Sequence, residues 1–199
     1  MATFSKEQLV KDQLKIQMAC EHELAITLSD WHSFTQHFSA RELQSQQHWI
    51  QAGELCTELC FILEGLIRIY YIDQAGNEVN QHFYQANEVI APVDALVSKE
   101  PCQYFIQALE PTRLMVANYN VLSEAGEDKP ELLRLEIKML QTIFIKSARR
   151  EAHLLLGNAD QRYRWFCKEY PELLERIPQY HIASFLGISP VSLSRLRKR

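Results

Sequence analysis

The sequence predicts an α+β fold: N-terminal helices and an antiparallel β-roll of the jelly-roll type, one long helix, and a C-terminal helix-turn-helix domain. Three observations predict it. Between Trp49 and Asn118 the chain breaks into short runs rich in aromatic and β-branched residues, punctuated by turn residues. From Pro130 to Leu156 there is no glycine and no further proline. From Pro178 onward two short helical patterns flank Gly187. The implied divisions are 1–129 for the N-terminal helices and roll, 130–156 for the long helix, and 157–199 for the terminal helical domain.

Among the 199 residues, 47% are hydrophobic and 23% charged, a composition that buries a core and excludes long-range disorder. No stretch approaches the roughly 18 apolar residues that span a bilayer. The first thirty residues carry Lys6, Glu7, Lys11, Asp12, Lys15, Glu21 and Glu23, which no secretory leader would. A cytoplasmic chain without a membrane partner is expected. Cys20, Cys56, Cys60, Cys102 and Cys167 are scattered through it, so reduced, unbridged thiols are expected.

Residues 5–28 place Leu9, Leu14, Ile16, Met18, Leu24 and Leu28 among charges at loosely helical intervals, as one or two amphipathic helices do. Runs at 59–63, 66–72, 78–84, 88–93, 103–109 and 112–118 read as strands. Glu64-Gly65, Asp73-Gln74-Ala75-Gly76, Gln85-Ala86-Asn87 and Glu110-Pro111 supply the turns between them. In the long helix, Leu133, Ile137, Leu140 and Phe144 form one apolar seam, and Leu132, Leu135, Met139 and Ile143 form a second. Two apolar faces need two partners. One packs on the roll, and the other is expected to pair with the same helix of a second subunit about a two-fold axis, making a homodimer; burial on all sides within a monomer is the alternative. Beyond Gly157, Tyr163, Phe166, Tyr170 and Leu174 resume helical spacing over 159–175.

Charge is divided unevenly. The net charge is −4, yet the last 24 residues hold Arg176, Arg195, Arg197, Lys198 and Arg199 and no acid, leaving 16 basic and 25 acidic residues in the first 175. An acidic body with a basic end hints at a polyanionic partner. The end also has the right form. Ile182, Ala183 and Leu186 give a short apolar helix face, Gly187 suits a left-handed cap, and Ser189-Pro190 is an N-cap followed by proline at the first helical position. The second helix turns Leu193 and Leu196 inward and Val191, Ser192, Arg195 and Arg199 outward. A reader of the DNA major groove needs short polar residues near its helix start, an arginine that can fork onto guanine, and further cations for phosphates.

These residues resemble the Crp/Fnr superfamily of bacterial transcription regulators, in which a cyclic-nucleotide-binding-type roll is joined by a dimerising helix to a helix-turn-helix. The resemblance covers about residues 30–199. Its marks are Phe61-Ile62-Leu63-Glu64-Gly65, the hairpin Asp73-Gln74-Ala75-Gly76-Asn77-Glu78, and above all Ile182-Ala183-Ser184-Phe185-Leu186-Gly187-Ile188-Ser189-Pro190 with Leu193-Ser194-Arg195. It implies a homodimeric, sequence-specific regulator on inverted-repeat double-stranded DNA, with contact to RNA polymerase and an unidentified small-molecule effector. Arg195 matches the family's main base-reading arginine, and Ser194 a serine beside it. Val191 stands where many members carry a base-contacting glutamate, so the preferred sequence should differ; Ser192 completes the base-reading set. Ser189, Ser192, Arg197, Lys198 and Arg199 are phosphate candidates by position. The alternative is a ligand-binding or protein-interaction module that no longer reads DNA.

The nucleotide-sensing members hold a Gly-Glu pair for the ribose and, about ten residues later, an Arg-Ser/Thr for the cyclic phosphate. The corresponding effector-pocket positions here are Ala91-Pro92 and Cys102-Gln103. Burying a phosphate without a paired cation is strongly unfavourable. Cyclic AMP in the usual mode is therefore not expected, and the pocket is either empty or suited to an uncharged ligand. No cofactor, metal site or catalytic residue is expected: no CxxC cluster or H-x-H pair occurs, and no nucleophile with its base emerges. His82 reads as a strand residue, and His181 as a phosphate contact or an inert surface residue.

Overall fold

The computed structural model describes residues 5–198, so the predicted phosphate contact at Arg199 lies outside the described residues. Its elements run α1 (Lys6–Leu24), α2 (Trp31–Thr35), β1 (Ser39–Leu43), β2 (His48–Ile50), β3 (Glu58–Glu64), β4 (Leu66–Ile72), β5 (Glu78–Gln85), β6 (Val89–Ile90), α3 (Val93–Ser98), β7 (Phe105–Ala108), β8 (Thr112–Asn118), α4 (Tyr119–Gly126), α5 (Pro130–Leu156), α6 (Ala159–Glu169), α7 (Leu173–Arg176), α8 (Gln179–Leu186) and α9 (Pro190–Arg197). The strands make two four-stranded sheets, ordered β1-β8-β3-β6 and β2-β7-β4-β5. The pairs β1–β8, β2–β7, β3–β6 and β3–β8 are antiparallel. The fold class is the predicted α+β one.

The chain forms two compact units, residues 1–69 with 83–140 and residues 70–82 with 141–199. In the first unit, β3 explains its own unbroken apolar run. Leu59, Phe61 and Leu63 pack with Ile16 and Cys20 of α1, Phe34 of α2, and Leu132 and Leu135 of α5, while Cys60 and Ile62 are fully buried on the opposite face. A strand covered on both faces has no polar side to alternate. Gly65 links β3 to β4 at φ +105°, and a Cβ there would lie 2.7 Å from the Thr112 Cα, so no other residue fits this turn. Asp12 of α1 is fully buried and ion-paired with Arg113 of β8.

The 88–93 run is a strand only at Val89–Ile90. Pro92 has no N–H to give a ladder, and its neighbour Val93 starts α3 instead. The 159–175 segment likewise breaks after Glu169, where Pro171 bars the preceding Tyr170 from helical geometry. Five short elements, α2, α4, β1, β2 and α3, carry too few residues to show a period in the sequence.

Along α5 the two seams separate as expected within one chain. Leu132 and Leu135 are buried and Met139 packs beside them, whereas Leu133, Ile137, Leu140 and Phe144 are exposed, the last 73% so. A cavity of about 50 Å³ lies beside the buried seam, walled by Phe34, Leu59, Tyr119, Leu122 and Met139 among others. Tyr119 closes one side by donating to Glu136 at 2.9 Å. In the second unit Phe166, Phe185, Leu186 and Leu193 are each fully buried, and the Trp165, Phe166 and Tyr170 rings surround Phe185 at 5.5–5.9 Å.

Candidate nucleic-acid interface

Three helices of the second unit build the candidate site. α6 opens with a capping box, in which Asn158 accepts from the Gln161 N–H at 3.0 Å and Gln161 accepts from the Asn158 N–H at 2.9 Å. α8 presents Ile182, Ala183, Phe185 and Leu186 inward, all buried. It ends at Gly187, which takes the left-handed conformation at φ +63°. The Ile188 N–H closes the turn by donating to the Ala183 carbonyl at 3.0 Å. Ser189 then caps α9, its hydroxyl accepting from the Ser192 N–H at 3.1 Å, with Pro190 at the first helical position. This is a helix-turn-helix with every local signal in its expected place.

On α9, Leu193 is fully buried and Leu196 half-buried, which fixes the helix's rotation. Val191, Ser194 and Arg195 consequently lie on the exposed side, as do Arg197 and Lys198. Ser192 is half-buried, and its hydroxyl lies 2.9 Å from that of Ser189, so this pair serves the cap as well as the surface. Arg195 and Arg197 fall in the last turn of α9, where cations favour the negative end of the helix dipole. Arg197 is close enough to Tyr163 for its charge to act on that phenol, whose pKa is nonetheless raised, chiefly by burial and by its hydrogen bond with Cys167.

His181 is neither a phosphate contact nor an inert surface residue: it is buried, against both readings made from the sequence. Asn80 Nδ2 donates to its Nδ1 at 3.1 Å and to its carbonyl at 3.2 Å. Asn80 also donates its backbone N–H to Ser184 Oγ at 2.9 Å, and Ser184 Oγ donates onward to the Glu78 carbonyl at 2.7 Å. Nearby, His82 is buried with its pKa lowered to about 4, first by desolvation and then by the Arg150 and Lys146 charges. A buried contact 101 residues apart in sequence leaves no spacing signal, so sequence reasoning missed Asn80 entirely.

The effector-pocket positions do not gather a charged site. Cys102 and Pro92 are buried, Ala91 is half-buried and packs beside the β3 core cluster, and Gln103 is exposed. Cys102 exchanges backbone hydrogen bonds with the 53–54 turn, its carbonyl accepting from Gly53 at 2.8 Å and its N–H donating to Glu54 at 2.9 Å. Burial pushes its thiol up to about 11. Tyr104 donates to Asp94 at 2.5 Å across the same segment. All five thiols are free. Among the described residues, no group of three or more His, Cys, Asp or Glu could hold a metal ion, and no helix is long and apolar enough to cross a membrane.

Residues 40–128 match the model of the cyclic nucleotide-binding domain family. The chain is 26% identical over 170 residues to the anaerobic regulatory protein of Aggregatibacter actinomycetemcomitans, which covers 80% of this chain and 65% of that one; it therefore spans about two thirds of that relative's length. Among solved structures it is similar to FixK2 from Bradyrhizobium japonicum, with a TM-score of 0.72, 15% identity, and coverage of 81% of this chain and 83% of the other. It is also similar to a Eubacterium rectale protein assigned to the Crp/Fnr family of transcriptional regulators, with a TM-score of 0.67, 12% identity, and coverage of 87% and 83%. The roll sequence, the sheet order and the capped terminal helices thus agree: residues 40–128 match the cyclic nucleotide-binding domain model, and the fold is similar to that of FixK2 and of the Eubacterium rectale regulator.

Proposed function

We propose that the protein is a sequence-specific DNA-binding transcription regulator, acting as a homodimer on inverted-repeat sites. The observation that carries this reading is α9: a capped helix with Leu193 turned in, Val191, Ser194 and Arg195 turned out, and Arg197 and Lys198 exposed at its C-terminal end. Arg195 offers a planar fork suited to the guanine O6 and N7 acceptors. Val191 offers only an apolar surface, suited to a thymine methyl group. Arg197, Lys198 and Ser189 would hold phosphates, which position the helix without reading sequence.

The exposed seam Leu133, Ile137, Leu140 and Phe144 supports pairing of two α5 helices, which would present two copies of α9 to grooves about one helical turn, roughly 34 Å, apart. The effector belongs to the same proposal, and cyclic AMP held in the usual mode is not it. The Ala91-Pro92 and Cys102-Gln103 positions bring neither the carboxylate nor the guanidinium that a cyclic nucleotide would need. Contact with RNA polymerase completes the proposed activity, which is regulatory and not catalytic.

The test is selection of duplexes from a random library by the full chain. Wild type should enrich an inverted repeat, and Arg195→Ala should lose discrimination between the selected and random duplexes while melting at the same temperature. Equal discrimination by the variant would sink the assignment.

A further inference from the structure

The last four carbonyls of any α-helix have no partner within it. In α8 these are Ala183 to Leu186, and each is accounted for. The Ala183 and Ser184 carbonyls accept from the Gly187 and Ile188 N–H groups of the turn. The remaining two accept from guanidinium groups. Arg150 Nη2 donates to the Phe185 carbonyl at 3.2 Å, and Arg162 Nη1 donates to the Leu186 carbonyl at 3.0 Å.

Each arginine also holds a second segment. Arg162 Nε donates to the Gly157 carbonyl at the α5–α6 junction at 2.9 Å. Arg150 Nη2 donates to the Asn80 carbonyl at 2.9 Å, and its guanidinium lies 4.8 Å from the Phe185 ring centre. We propose that Arg150 and Arg162 are positioning residues for DNA reading: they clamp the end of α8 and so fix the direction in which α9 leaves Gly187. This rests on the DNA-reading function proposed above.

The argument is geometric. A planar guanidinium bound to carbonyls of two segments fixes both the distance and the orientation between them, which a lysine's single ammonium does not. The clamp sits against the hinge itself, since a Cβ added to Gly187 would lie 3.4 Å from Arg162 Nη1. Base-edge hydrogen bonds demand this precision, because a misdirected fork loses its bidentate pairing. Phosphate contacts carry no sequence information of their own, so they do not set discrimination. Loosening the clamp should therefore reduce discrimination while leaving general affinity for DNA intact. A residue that merely stabilised the fold would lower both together.

The experiment measures binding of the full chain to its selected duplex and to a random duplex over a salt series, for wild type, Arg162→Met, Arg162→Lys, Arg150→Met and Arg150→Lys, with a thermal melt of each. The methionine variants are expected to lose roughly tenfold in the ratio of selected to random affinity, about the worth of one good base contact. Random-duplex affinity and the slope of log affinity against log salt should match wild type. The lysine variants should lose part of the ratio. An unchanged ratio in folded variants overturns the proposal. So does a slope reduced by about one, which would make the arginine a phosphate contact. If a methionine variant does not fold, the lysine variant at the same position decides by the same criteria. If wild type selects no duplex at all, the DNA-reading function fails first, and visibly so.

Discussion

The side-chain amide of Asn80, on β5, lies 3.1 Å from Nδ1 of His181, at the third residue of α8, and both residues are buried. Asn80 spends its backbone N–H, its carbonyl and its amide on α8 and on Arg150, so one strand residue organises the start of the helix-turn-helix. Truncating its side chain keeps the backbone links but withdraws the amide from two buried acceptors of His181, and a hydrogen bond lost in the interior costs more than one lost at the surface. Asn80→Ala should lower stability by about 1–3 kcal/mol. Ser184→Ala, which breaks the Glu78 and Asn80 links at a less buried position, should cost less. Urea unfolding of the full chain measures both, and equal or negligible losses would contradict the central place given to Asn80.

His82 gives the second unit an acid sensitivity with a definite sign. Desolvation, followed by the Arg150 and Lys146 charges, holds its folded pKa at about 4, below the 6.5 of an unperturbed imidazole. Above pH 6.5 the ring is neutral in both states and the shift has no effect on stability. As pH falls from 6.5 toward 4, the unfolded chain takes up a proton that the folded chain refuses, so stability is lost across that window, by about 3 kcal/mol at its lower end. His82→Gln should flatten this part of the stability profile. Melting temperature followed from pH 7 to pH 4 tests it, and an identical acid slope in the variant would refute the assignment to His82.

The two seams of α5 should behave as opposites when mutated. Leu135 is buried against the roll, so Leu135→Ala should cost about 2–5 kcal/mol of stability and leave the oligomeric state alone. Ile137 and Phe144 are exposed in the single chain, so Ile137→Asp with Phe144→Asp should convert a dimer to a monomer with little change in the monomer's own stability. Sedimentation equilibrium and urea unfolding read the two effects separately. A wild-type chain that sediments as a monomer would remove the dimer from the proposed function.

Local physics explains which features were legible in the sequence. The α5 seams, the β3–β4 turn at Gly65 and the whole α8–Gly187–Ser189–Pro190–α9 run are short-range patterns, written in consecutive residues, and the structure reproduces their elements. The Asn80–His181 bond, the Asp12–Arg113 ion pair and the Arg162–Leu186 contact join residues 24 to 101 positions apart and follow no period. His181 shows the consequence. From sequence it was a polar residue at the edge of a DNA-binding motif, and only its long-range partner reveals it as part of the interior.

Lys198 and Arg197 follow the reading face of α9 and are both exposed, which suits them to phosphates rather than base edges. Each phosphate they neutralise releases counterions, so each should contribute about 0.9 to the steepness of log affinity against log salt. Lys198→Gln should therefore weaken binding to selected and random duplexes by the same factor and lower the slope by roughly that amount. Arg195→Ala should act differently, costing far more on the selected duplex than on the random one. Salt titrations of both variants on both duplexes separate the two roles. If Lys198→Gln changed discrimination while Arg195→Ala changed only the slope, the assignments on α9 would have to be exchanged.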